Sequence, residues 1–150
     1  MGLFGLMKVA KDRFFLVALL AAPPVWLLIA LTPWFPLSAR SFTWPQLLVL
    51  GLLFPVLEEM AFRGLVQGGL LKWHSLTGRQ LGFTGANGLT SLLFAAAHLF
   101  HQPPVMAALI FLPSLVFGEL RDRFGLVWPS ALLHVYYNFG LLLVLAAVKA

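Results

Sequence analysis

The chain has 150 residues, 61% of them hydrophobic and only 10% charged, with a mean hydropathy of +0.93. A soluble domain holds about 45–50% apolar and about 25% charged residues, so this composition excludes a water-soluble enzyme, a disordered chain and a nucleic-acid binder, and makes the bilayer the natural solvent. The net charge of +5 does not point to nucleic acid, because the basic residues stand between apolar runs, and the lack of Cys excludes disulfides, a thiol nucleophile and Cys-bound metal.

At about 20 residues per span, the length accommodates about five transmembrane helices and short loops. The expected fold is all-α: one polytopic membrane helix bundle over residues 1–150. Met1-Gly2 is followed by Leu6 rather than Ser or Thr, so the myristoylation pattern is absent. Lys8, Lys11 and Arg13 precede a first apolar segment at 14–31, read as a retained anchor rather than a cleaved signal peptide. A loop from Pro33 to Pro45 carries Arg40. Further apolar segments follow at 46–71, at 82–100 (ended by His101-Gln-Pro-Pro104), at 105–118 and at 127–148, with no internal repeat or linker.

Basic residues orient these segments. With the N-terminus in the cytoplasm, Lys8, Lys11, Arg13, Lys72, Arg79, Arg121 and Arg123 lie inside, and only Arg40 and Lys149 lie outside. That bias predicts an N-in, C-out chain.

The informative residues break the apolar pattern. Phe54-Pro-Val-Leu-Glu-Glu-Met-Ala-Phe-Arg63 places Glu58, Glu59 and Arg63 inside a span, where each charge costs about 2.5–3.5 kcal/mol on insertion scales. Glu59 and Arg63 are four apart, with Glu on the N-terminal side, the favourable order for an ion pair. Glu58 lies about 100° around the helix from Glu59 and aligns less well with Arg63, which leaves it the carboxylate less committed to Arg63. The alternative is one structural cluster of all three against a neighbouring helix.

His98 closes Phe94-Ala-Ala-Ala-His98, where the three alanines permit close backbone approach. It is either a packing residue or part of a site. His134 and Asn138 are four apart on the last segment and project from one face. Two donors on one face suit a developing oxyanion; the alternative is interhelical glue worth about 0.6 kcal/mol per bond. Two carboxylates, an Arg, two His and an Asn in three apolar segments point to one shared polar site.

In combination these motifs resemble the CPBP intramembrane proteases, the family of CAAX prenyl endopeptidases and bacteriocin-processing or immunity-type (Abi) proteins. Glu58-Glu59-x-x-x-Arg63, Phe94-x-x-x-His98 and His134-x-x-x-Asn138 stand in the family's order. The flanks agree: Phe62-Arg-Gly64, Thr90-Ser-Leu-Leu-Phe94, and Phe117-Gly118 through Trp128-Pro129. The resemblance covers about residues 54–140 and is that of a short bacterial member. It implies that Glu58 activates a water with His98, that His134 and Asn138 form the oxyanion hole, and that Glu59 and Arg63 support the site. It implies no cofactor, and as partners the lipid bilayer and a membrane-anchored or C-terminal-signal-bearing protein, without requiring prenylation.

Helix arithmetic places Glu58 about 20 Å and His98 about 24 Å from the cytoplasmic ends of their segments, but His134 and Asn138 only about 10 and 16 Å in. They meet if the second and third segments extend into the cytoplasm, with Gln67, Lys72, His74, Arg79 and Gln80 forming a polar hairpin. The site is then expected about 10–15 Å below the cytoplasmic surface. Pro55 is expected to kink its helix by removing the bond to the Gly51 carbonyl. Gly64 and Gly68 are expected to serve intramolecular packing, Glu119 and Arg123 to form a solvated pair, and His74 and His101 to be ordinary loop residues.

Rival chemistries use the same residues. Glu58 or Glu59 with His98 and His134 is a possible zinc set, although no His-Glu-x-x-His is present. Ser130 and His134 are spaced for a serine dyad. A non-catalytic immunity factor, scaffold or receptor and a proton path are the readings from other classes.

Overall fold

A computed structural model describes residues 3–31 and 42–148. The expected loop with Arg40 falls mostly on residues 32–41, and Lys149 beyond the last helix; both lie outside the described residues. Among the described residues the architecture is helical apart from one two-residue antiparallel hairpin, Arg79–Gln80 with Phe83–Thr84.

A short helix, Leu3–Ala10, stands before the first predicted segment. Asp12 then caps the next helix, Arg13–Leu31, by accepting the Phe15 N–H at 2.9 Å. The second segment starts earlier than predicted, because Trp44-Pro45 forms its first turn, where Pro loses no hydrogen bond. The run over 44–70 is not a uniform α-helix. Val49–Leu53 and Met60–Gln67 are π-helical, and Phe54–Glu59 between them is α-helical. Pro55 stands in the α-helical stretch, two residues after Leu53, the end of the first π stretch.

The third segment is a shorter helix than predicted, Gly85–His98, because the hairpin occupies the residues before it. Thr84 ends the hairpin and caps this helix, its Oγ1 accepting the Asn87 N–H at 3.0 Å. The fourth, Pro104–Phe124, runs through its charged end to Gly125, whose positive φ of 67° permits the left-handed C-cap. The fifth, Trp128–Val148, agrees closely with the prediction. Among the described residues, three helices are long and apolar enough to cross a bilayer: Arg13–Leu31, Pro104–Phe124 and Trp128–Ala147. Fourteen residues make Gly85–His98 only about 21 Å long.

The chain divides into two compact units, Met1–Val56 with Leu132–Ala150, and Leu57–Ala131. In the first, Phe15, Ala18, Ala22 and Leu133 are buried, and Trp26 packs on Tyr136 with ring centroids 4.9 Å apart. The Tyr137 hydroxyl donates to the Ala18 carbonyl at 2.7 Å. In the second, the Gly85–His98 and Pro104–Phe124 helices pack together over Ala86, Phe94, Phe117 and Leu120. Asn87 lies against Gly118, where only the absence of a side chain leaves it room.

Polarity is inverted relative to a soluble domain. Arg63, Gln67, Asn87, Ser91 and Ser114 are fully buried, while Leu20 and Leu65 are 71% and 77% exposed. Burying polar groups costs free energy unless they are hydrogen-bonded, and large outward apolar surfaces persist when lipid is the solvent. Inverted polarity and apolar helices together are those of an integral membrane protein.

Candidate functional site

The predicted Glu59–Arg63 pair is present and completely buried: Arg63 Nε donates to Glu59 Oε2 at 3.1 Å, with both side chains at 0% exposure. It lies on the Met60–Gln67 π stretch and its N-cap. The i→i+5 bonding of a π-helix widens the turn, which keeps residues four apart close to one face and adds Gln67 to the row. Arg63 fans out from there. Nη1 donates to Gln67 Oε1 at 3.4 Å and Nη2 to Ser114 Oγ at 2.6 Å. A buried guanidinium thus meets three acceptors from two helices, as its fork of donors requires.

Gln67 carries the network onward. Its Nε2 donates to the Gly118 carbonyl at 2.9 Å and to Asp122 Oδ1 at 2.7 Å. The other oxygen of Asp122 accepts the Thr84 hydroxyl at 2.7 Å. Arg121 Nε closes the loop by donating to the Arg63 carbonyl at 3.2 Å. Asn87 ties the Gly85–His98 helix to the same helix as Asp122: its Nδ2 donates to the Leu115 carbonyl and its Oδ1 accepts the Ser91 hydroxyl, each at 3.0 Å. Gln67 was expected in a solvated hairpin; the structure buries it because Asp122 and Gly118 satisfy its amide. Glu119 and Arg123 are paired at 3.0 Å, but Glu119 is buried and also held by Arg79, so the pair is not simply solvated.

Phe94 connects the first two motifs. Its buried ring meets Phe62 edge-on at 4.9 Å and the His98 ring at 4.7 Å, with the Arg63 guanidinium carbon 5.5 Å from its centroid. The Phe of Phe-x-x-x-His therefore packs on both a cation and an imidazole. His98 Nδ1 lies 2.8 Å from the Phe94 carbonyl. In the neutral ring with its proton on Nδ1, Nε2 is the acceptor nitrogen. Of the alanine run, Ala95 is buried and Ala96 exposed, and His98 is half-buried. A close approach is at Asn87 and Gly118.

Glu58, Glu59, Arg63 and His98 belong to one compact unit, and His134 and Asn138 to the other. Glu58 is half-buried where Glu59 is fully buried. His134 is buried, and Asn138 Nδ2 donates to the Leu50 carbonyl at 3.3 Å within their own unit. Ser130 Oγ donates to the Phe117 carbonyl at 2.6 Å. Gly64 and Gly68 face Val127 and Arg121 of their own chain, the intramolecular packing expected. His74 and His101 are exposed. Among the described residues no group of three His, Asp or Glu is placed to hold a metal ion.

Ser114, Asp122, Thr84 and Asn87 were missed at the sequence level. The available signal was polar residues recurring on helices otherwise rich in Leu and Ala, each of which demands a partner once buried.

Residues 40–140 match the sequence profile of a family described as type II CAAX prenyl endopeptidase Rce1-like. All three motifs fall inside the matched region. No curated protein and no solved structure matches the chain.

Proposed function

The chain belongs to the type II CAAX prenyl endopeptidase Rce1-like family, and from that premise we propose that it is a glutamate-dependent intramembrane endopeptidase. Its substrate class is a protein anchored in the membrane or carrying a C-terminal signal, cleaved in a bacterial inner membrane. The chemistry divides among the motif residues. Glu58 takes a proton from water, assisted by His98 Nε2, and the water oxygen attacks the scissile carbonyl carbon. N–H donors of His134 and Asn138 receive the oxyanion. The tetrahedral intermediate collapses as Glu58 returns the proton to the leaving amine, giving a carboxylic acid and an amine.

The observation that carries this reading is the contrast between adjacent carboxylates. Glu59 is fully buried and bonded to an arginine with two further acceptors; Glu58 is half-buried. Glu59 is committed to Arg63, and Glu58 is the less buried of the two. The test is cleavage of membrane-anchored reporter peptides in liposomes, wild type against Glu58→Gln. The expected result is a rate lower by about three orders of magnitude or more, with helicity and insertion unchanged. Retained cleavage would overturn the assignment. Cleavage that chelator abolishes and added zinc restores would favour the zinc set over a metal-free glutamate.

A further inference from the structure

The hairpin before the Gly85–His98 helix carries a backbone irregularity that catalysis does not use. Gln80 pairs with Phe83, so Leu81 and Gly82 are the two central residues of the turn. Their φ angles are 53° and 90°. Two-residue turns with both φ positive favour Asn-Gly or Asp-Gly, because a bulky side chain is strained in the left-handed region. Here a leucine occupies that position, and it is 100% exposed. A strained, wholly exposed leucine is disfavoured by both backbone and water, and an observed outlier of this kind is grounds for a functional hypothesis.

The hairpin is also pinned at a definite level. Arg79 Nη2 donates to both oxygens of Glu119, at 2.7 and 2.6 Å, and to the Gly82 carbonyl. Thr84 Oγ1 donates to Asp122. Both acidic partners lie in the last two turns of Pro104–Phe124, a helix long and apolar enough to cross a bilayer. The hairpin is therefore fixed beside the end of a span, where membrane meets water. Trp73 nearby in sequence is 64% exposed, with Lys72 beside it. Tryptophan and lysine are the residues enriched at that level of a membrane protein.

We propose that this hairpin is an interfacial anchor, with Leu81 inserted at the headgroup–acyl boundary of the bilayer. Its occupant is lipid rather than a protein partner. The anchor also sets a depth: Thr84 leads directly into the Gly85–His98 helix, so His98 is held about 20 Å along the helix from the anchored end. This inference goes beyond proteolysis and stands or falls without it.

The chain has no cysteine, so Leu81→Cys supplies a unique label site for an environment-sensitive fluorophore. The full chain is reconstituted in phosphatidylcholine vesicles containing phosphatidylglycerol. The expected result is blue-shifted emission and strong quenching by lipids spin-labelled near the top of the acyl chain. Iodide quenching should be weaker than for the free fluorophore–cysteine adduct by about fivefold or more, as burial at the interface requires. A label quenched by iodide like the free adduct and untouched by spin-labelled lipid overturns the proposal. So does a label that only an added peptide covers, since that assigns the turn to a protein partner. No outcome depends on cleavage.

Discussion

Replacing Glu59 with Gln should separate the structural carboxylate from the chemical one. The substitution removes a negative charge and leaves the Arg63 guanidinium in a site with 0% exposure. Arg63 keeps Ser114 Oγ at 2.6 Å and Gln67 Oε1 at 3.4 Å, but both are neutral acceptors. Breaking a buried pair by removing one charge costs about 3–5 kcal/mol. At about 2–4 °C per kcal/mol for a chain of this length, the melting temperature should fall by about 6–20 °C. Far-UV circular dichroism of the purified protein in detergent reads this directly. The double substitution Glu59→Gln with Arg63→Gln removes both charges together and should recover more than half of the loss. Glu58→Gln should cost less stability than Glu59→Gln while costing all activity. A Glu59→Gln protein melting within about 2 °C of wild type, or a Glu58→Gln protein melting lower than Glu59→Gln, would refute the division of labour.

Other outcomes follow from single contacts. Gly118→Ala places a methyl group against the Asn87 amide, which is held from both sides by Leu115 and Ser91; it should cost about 1–3 kcal/mol in a detergent melt, although Ala is ordinarily the better helix former. Asp122→Ala removes the acceptor from the Thr84 hydroxyl and one of two acceptors from the Gln67 amide, for about 1–3 kcal/mol in the same measurement, and Asp122→Asn should cost less. Ser130→Ala deletes a donor to the Phe117 carbonyl and should lower stability by about 1 kcal/mol. Cleavage by that variant should persist near the wild-type rate, and its abolition would revive a serine nucleophile.

Hydropathy located the helices Arg13–Leu31, Pro104–Phe124 and Trp128–Val148 because long, nearly uninterrupted apolar runs mark spans by length and composition alone. The i,i+4 rule located Glu59 and Arg63 because their partnership is local. The π stretches were not legible: a run such as Met60–Gln67 reads in sequence as an ordinary helix. The hairpin escaped for a related reason, since Leu81-Gly82 lacks the Asn-Gly turn signal. Gln67, Asp122 and Thr84 read as solvated polar residues because the chain returns to bury them only in three dimensions. Polar residues near a span end are ambiguous in sequence, and the partner that resolves them lies about 40–55 positions away.

Asn138 has a second role alongside the oxyanion binding proposed for it, and its coupling to Pro55 would reveal it. In the π stretch the Phe54 N–H bonds back five residues to the Val49 carbonyl. The next bond in that register would run from residue 55 to the Leu50 carbonyl, but Pro55 has no N–H to give. Asn138 Nδ2 supplies the missing donor, at 3.3 Å from Leu50 O. An amide nitrogen carries two hydrogens, so one can fix the side chain on the helix backbone while the other is held ready for an oxyanion. Asn138→Ala should then cost stability as well as activity, by about 1 kcal/mol. In a Pro55→Ala background the new N–H serves Leu50 itself, and the stability cost of Asn138→Ala should shrink by at least half. A double-mutant cycle in detergent melts measures that coupling, while the activity loss should remain in both backgrounds. Strict additivity of the two melts would remove Asn138 from the helix and leave it a catalytic role alone.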